Sequence, residues 1–154
     1  MVNQTSSHLE EFNRHVLEIQ DGAFTFACDL LGDEAAAAII TQRAITQVFK
    51  LGRTDRSSIR KGVLRYIADN YTRSRAASNL LQGLQLSKLS EFNRLVLLLV
   101  DHLSLPYADV AKILRCSPSK VCRQLALARS KIANCDRIKM REPHAENTYP
   151  GGRR

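Results

Sequence analysis

The chain has 154 residues, of which 44% are hydrophobic, and a formal net charge of +8 at neutral pH. This length suffices for one ordinary domain or two small ones, and the hydrophobic content is high enough to bury a core. The apolar run RLVLLLV at 94–100 is too short to cross a bilayer, and the N-terminal residues are unlike a signal peptide. We therefore expect a cytoplasmic protein that makes no contact with a membrane.

The positive charge is concentrated in two segments. Residues 50–75 hold eight Lys or Arg against two Asp, and residues 103–135 hold six Lys or Arg against one Asp. Two basic segments in so small a protein predict a polyanionic partner. The four cysteines and four histidines show no metal-ligand spacing, and no catalytic pattern is present. We therefore expect no enzyme activity, catalytic residue, metal site, cofactor or small-molecule substrate.

Helical spacing of apolar residues dominates the first half of the chain. It predicts one helix over 9–31, with Ser7 opening a capping box before it and Gly32 ending it. A second helix is predicted over 33–50, because its first residues are acidic and suit the positive end of a helix. A third, strongly basic helix is predicted over 58–75. Alternating strand patterns are absent, so the fold class is predicted to be all-α.

The second half contains two short helices joined by a tight hinge. They lie in PYADVAKILRCSPSKVCRQLALARSK at 106–131. The hinge is predicted at 115–117, where Ser117 caps the next helix and Pro118 falls at its first position. Apolar spacing predicts an inward stripe on this second helix, which consists of Val121, Leu125, Ala128 and Ile132. This pattern predicts a helix-turn-helix unit, although Arg115 occupies a position where glycine is common.

The polar face of the second helix suits DNA. Its first turns carry side chains with hydrogen-bond donors that can reach the acceptor atoms of purine bases and the phosphates. A recognition helix requires such donors. The alternative is a capped core helix with a solvated polar face. The residues predicted to contact duplex DNA are Ser117, Ser119, Lys120, Arg123, Gln124, Arg129 and Lys131.

Three segments together resemble the extracytoplasmic-function (ECF) type of the sigma-70 family. LSEFNRLVLLLVDHLSLPYADVAKILRCSPSKVCRQLALARSKI at 89–132 is similar to sigma region 4. AFTFACDLLGDEAAAAIITQRAITQVF at 23–49 and SSIRKGVLRYIADNYTRSR at 57–75 resemble parts of region 2. The resemblance implies two small helical domains, at 8–75 and 89–134. It leaves a short connector over 76–88, and composition predicts a disordered tail over 135–154.

The resemblance also implies a function and its residues. Such a protein binds core RNA polymerase and promoter DNA, and the duplex-contacting residues above would then read the −35 element. An anti-sigma protein is a further expected partner. The residues implied to contact polymerase are Ala38, Ile39, Gln42, Arg43 and Gln47. Those implied to approach the −10 strand are Arg65, Asn70, Tyr71 and Arg73.

Two other hypotheses for the function stay open. Region 2 of this family usually contains a run of acidic residues and a tryptophan. In this chain residues 35–38 are AAAA instead of acidic, and Gly62 lies near the usual place of the tryptophan. A connector of thirteen residues also spans at most about 45 Å when fully extended. The missing acidic run and the short connector favour a stand-alone helix-turn-helix regulator, whereas the resemblance to region 2 opposes it. The third reading is a sigma-mimic adaptor that binds only protein partners.

Overall fold

The computed structural model describes residues 3–73 and 89–141, with side chains described for residues 7–72 and 89–134. All regular elements in these ranges are helices, which confirms the predicted all-α class. They are α1 (Asn3–Leu31), α2 (Glu34–Lys50), α3 (Arg56–Arg73), α4 (Glu91–Leu97), a π-helical turn (Leu98–His102), α5 (Tyr107–Leu114) and α6 (Pro118–Arg141).

The helix ends of the first half follow from local chemistry. Gly32 has a φ of 67°, and its N–H donates to the Cys28 carbonyl at 2.8 Å, which ends α1. The Asp33 carboxylate accepts the Ala36 N–H at 3.0 Å and starts α2. Ser7, in contrast, lies inside α1, since that helix already begins at Asn3. The predicted capping box at Ser7 is therefore wrong.

Helices α1, α2 and α3 pack around one apolar centre. Phe26, Val48 and Ile59 are almost fully buried there. The rings of Phe12 and Phe49 meet edge to face, with centroids 5.0 Å apart. Exclusion of this apolar surface from water is the main force that holds the three helices together.

The second half begins with a cap and a widened helix. The Ser90 hydroxyl accepts the Asn93 N–H at 3.3 Å, which caps the start of α4. The Leu103 N–H then reaches back five residues to the Leu98 carbonyl at 3.0 Å, which is the π-helical spacing. This wider turn ends the apolar run. Beyond it, α6 packs against α4, and α5 packs against α6 and the π-helical turn.

The two halves pack directly on each other. Helix α3 lies against α5, and α1 lies against the π-helical turn, so one continuous apolar cluster runs through both halves. The predicted connector at 76–88 lies outside the described residues. Helix α6 continues to Arg141, past the predicted boundary at 134, and residues 142–154 lie outside the described range. The predicted division into domains stays a prediction.

Candidate nucleic-acid interface

The turn between α5 and α6 has the predicted helix-turn-helix geometry. Arg115 ends α5 in the left-handed conformation, with φ 53° and ψ 49°. The Ser117 hydroxyl accepts the Lys120 N–H at 3.2 Å, and Pro118 is the first residue of α6. A single left-handed residue followed by a capped helix turns the chain sharply, so α6 starts at the surface with its first turn open to solvent.

The inward stripe of α6 is formed as predicted. Val121, Leu125 and Ala128 are buried, and Ile132 is half-buried. Because these residues fix the rotation of α6, the opposite side of its first turns must face outward. Leu127, at 48% exposure, lies on that outer side.

The polar start of α6 is a surface of outward side chains. Ser119, Lys120 and Arg123 are exposed, and Gln124 is half-buried. The Lys120 ammonium lies 4.8 Å from the centroid of the Phe92 ring, a cation–π contact with the first turns of α4. The geometry thus offers a small group of donors at the N-terminal end of a projecting helix, where positive dipole ends also favour anions.

Arg129 and Lys131, farther along α6, differ in their surroundings. Arg129 forms a two-pronged hydrogen bond with the Asp101 carboxylate, and one of its N–O distances is 3.1 Å. This bonding raises the pKa of Arg129. Lys131 is exposed. A phosphate at Arg129 must therefore compete with a carboxylate already in place, whereas Lys131 can approach one directly.

Of the predicted strand-contacting residues of α3, Arg65 and Tyr71 contact the second half. The Arg65 guanidinium donates to the carbonyls of Lys112 and Ile113 at the end of α5. Asn70 is half-buried, and its side-chain amide donates to the carbonyl of Tyr66 one turn earlier at 2.8 Å. The side chain of Arg73 lies outside the described residues.

Tyr71 is buried at the junction of the two halves. It is 4% exposed, and its hydroxyl accepts a hydrogen bond from Arg94, which is itself buried. Burial raises the pKa of Tyr71, although the adjacent Arg94 opposes this. The ring is thus packed rather than presented to solvent.

The predicted polymerase face of α2 is an exposed ridge between two apolar grooves. Ile39 is 51% exposed on this ridge. One groove, of about 410 Å³, runs along α1 beside Phe24, and the other, of about 400 Å³, runs along α3 beside Ile67. The other predicted residues, Ala38, Gln42, Arg43 and Gln47, are all exposed as well. An apolar residue between grooves is suited to contact a helical partner surface.

Sequence reasoning missed the contacts that join the two halves. They involve Lys61, Asp69 and Asp109, which no motif singled out, and Arg115, which was noted only as a hinge. A spacing of four from Lys61 through Arg65 to Asp69 could have indicated one helix face. The matching residues on α5 could not be identified from sequence, because spacing on one helix says nothing about its neighbour.

Two further properties concern only the described part of the chain. Within it, no group of three or more His, Cys, Asp or Glu side chains is arranged to hold a metal ion. No helix there is both long and apolar enough to cross a membrane.

The arrangement of helices is similar to that of a solved sigma-factor structure. The chain is similar to the sigma factor RpoE of Bartonella quintana, whose structure was solved in complex with the anti-sigma factor NepR. The TM-score is 0.65 and the sequence identity 13%, over 84% of this chain and 98% of that chain. The similarity covers too much of this chain to lie within either half alone. No protein-family model and no curated protein matches the chain.

Proposed function

We propose that this protein is a sigma-like transcription initiation factor that binds core RNA polymerase and directs it to promoter DNA. The observation that carries the proposal is the helix-turn-helix of α5 and α6, whose capped, basic and exposed first turn belongs to a chain with a sigma-factor fold over both halves. In this mechanism α6 enters the major groove, and its N-terminal side chains read base edges.

The proposed duplex contacts divide into two groups. Ser119, Lys120, Arg123 and Gln124 lie at the start of α6, where a recognition helix meets bases. Ser117 caps that helix and orients its first N–H groups, while Arg129 and Lys131 lie farther along and contact phosphates. The exposed charge of this helix supplies the non-specific part of the affinity, which falls as salt rises.

The proposed polymerase contact is the ridge of α2. Ile39 supplies an apolar anchor, and Gln42, Arg43 and Gln47 supply polar contacts around it. An exposed apolar residue with a polar rim is the usual make-up of a protein interface. We also propose an anti-sigma protein as a partner, since the similar sigma factor was solved in complex with one.

The test is co-migration with bacterial core RNA polymerase on a sizing column without DNA. It is run at about 0.15 M salt, where the Debye length is about 8 Å and non-specific attraction of a basic protein is reduced. Ile39→Asp should abolish co-migration because it buries a charge in the proposed interface. The matched control is Leu17→Asp, since Leu17 is 66% exposed on α1, outside the proposed face. Failure of the unmodified protein to co-migrate contradicts the proposal.

The second candidate is a stand-alone helix-turn-helix regulator of transcription. One observation favours it: the start of α6 is open to solvent, whereas Arg65 and Tyr71 of α3 are engaged with the second half. Sequence-dependent duplex binding without any polymerase association would select this candidate. Failure to bind either nucleic acid or polymerase at low salt would select a protein-binding adaptor instead.

A further inference from the structure

Leu127 is an apolar residue on the outer side of α6. It is 48% exposed, and no other large apolar side chain described for this helix is as open to solvent. Val121, Leu125 and Ala128 turn the opposite side of α6 toward the core, so Leu127 cannot contribute to it. Single exposed leucines are ordinary on protein surfaces, so the informative feature is the position of Leu127 rather than its exposure.

Leu127 shares a helix face with side chains that we propose to contact DNA. Gln124 and Arg123 precede it by three and four residues, and Lys131 follows it by four, which are the spacings of neighbours on a helix surface. Arg123 and Lys131 are exposed, and Gln124 is half-buried. Exposed cations before and after Leu127 attract a polyanion. A duplex held by these cations is therefore brought against Leu127 as well.

The surface immediately around Leu127 offers no free charge to a phosphate. Its exposed neighbours Ala126 and Ser130 are uncharged, and the guanidinium of Arg129 is bound to the Asp101 carboxylate. A leucine has no hydrogen-bond donor, so packing it on a phosphate would remove water from that phosphate without replacing the lost hydrogen bond. The apolar group that base edges present in the major groove is the C5 methyl of thymine. Leu127 is therefore suited to a thymine rather than to the DNA backbone.

The spacing along α6 sets where this thymine should lie. A helix rises about 1.5 Å per residue, so Leu127 lies about 6 Å beyond Arg123 along the helix axis. Bases of one strand are spaced by about 3.4 Å, so this rise corresponds to about two base-pair steps. We propose that Leu127 is a specificity-determining residue that packs against the C5 methyl of a thymine, about two base pairs from the pair that Arg123 reads. This inference rests on the proposed function and names one base that the duplex site should contain.

The test compares thymine with uracil, which differ by the C5 methyl group alone. The full chain first selects a duplex from a pool of random sequences, and each thymine of that duplex is then replaced singly by uracil. Fluorescence anisotropy measures the affinities of the native chain, Leu127→Ala and Leu127→Met. Alanine removes the apolar contact and favours the helix, whereas methionine keeps a similar apolar volume. The matched control is Leu17→Ala, since Leu17 is 66% exposed on α1, outside the proposed interface.

We expect uracil at one position to weaken binding of the native chain about fourfold, because one methyl group is lost from an apolar contact. Leu127→Ala should bind the thymine and uracil duplexes equally, whereas Leu127→Met and Leu17→Ala should keep the difference. The sensitive thymine should lie about two base pairs from the position at which Arg123→Ala relaxes the preference.

Two results would overturn the role of Leu127. One is that uracil weakens binding of the native chain at no position, and the other is that Leu127→Ala keeps the difference between thymine and uracil. Either result leaves the proposed function intact if Arg123→Ala still relaxes the preference at one base pair. A full chain that selects no duplex sequence contradicts both this inference and the proposed reading of duplex DNA by α6.

Discussion

The hydroxyl of Tyr71 on α3 accepts a hydrogen bond from the buried guanidinium of Arg94 on α4. The same guanidinium lies over the tyrosine ring, 5.9 Å from its centroid. Tyr71 thus joins the two halves through both its ring and its hydroxyl. This contact and the ion pairs between α3 and α5 give the two halves a specific packing arrangement, which apolar burial alone would not define.

Removing this hydroxyl should destabilise the protein. Tyr71→Phe takes one acceptor from a buried cation, and hydrogen bonds to charged groups contribute about 1.5–3 kcal/mol each. We expect a loss in the free energy of unfolding of that size, measured by urea denaturation. The matched control is Tyr66→Phe on the same helix, where we expect a change within about 0.5 kcal/mol. Equal losses in the two variants would contradict the role given to the Tyr71 hydroxyl.

Because Arg115 has a left-handed conformation, we expect substitutions there to rank in an unusual order of stability. At φ 53°, a branched side chain is strained and glycine is not, so Arg115→Val should be less stable than Arg115→Gly by about 1–2 kcal/mol. Thermal unfolding of both variants measures the difference. Arg123, inside α6, provides the control, because there glycine should be slightly worse than valine. The same order at both positions would argue against the turn geometry.

The two proposed kinds of DNA contact should respond differently to truncation. Arg123→Ala should cost about 1–3 kcal/mol in binding and relax the preference at one base pair, because the arginine reads a base edge. Lys131→Ala should weaken binding to all sequences about equally and lower the salt slope by about 1, because the lysine contacts a phosphate. Anisotropy titrations over a set of duplexes at several salt concentrations measure both.

Arg14→Ala is the control for the loss of one positive charge, since Arg14 is 68% exposed on α1, away from the proposed interface. It should change affinity little. If Arg123→Ala behaves like this control on every duplex, then Arg123 does not read bases. If Lys131→Ala impairs only some sequences, its assignment to phosphate is wrong.

The cap of α3 should make part of the stability depend on pH. The Asp55 carboxylate is hydrogen-bonded to Ser58, which lowers its pKa below the ordinary value of 3.8. As the pH falls, the unfolded chain therefore binds this proton first. The contribution of the ionised cap is fully present above the unfolded pKa and is lost as the pH falls through the lower, folded pKa.

Asp55→Asn tests this dependence, because asparagine keeps a capping oxygen but does not titrate there. The difference in the free energy of unfolding between the native chain and this variant should shrink between about pH 5 and about pH 2. Asp21→Asn, on the exposed side of α1, serves as the control. A difference that stays constant over this range would contradict the role of the ionised cap.

The sequence was most informative where local chemistry decides the outcome. The cap at Ser117 and the stop at Gly32 depend on neighbouring residues alone, and both were predicted. Asp33 was predicted only as an acidic first residue of α2, whereas its carboxylate caps that helix from one position before it. Ser7 shows the limit of such reasoning. A capping-box pattern offers a helix start, but the chain before it is already helical, so the pattern lies unused inside α1.

The amino-acid sequence by itself determined the all-helical class, the two basic segments and the exposed start of α6, because periodicity, charge and capping act over a few residues. Only the tertiary structure decided what the basic residues of α3 do. Lys61 and Arg65 look like solvent-facing or DNA-facing cations in sequence, yet they are bonded to α5. The physical reason is that a helix face acquires its partners from the packing of distant elements, and the sequence spacing of α3 carries no information about which surface meets it.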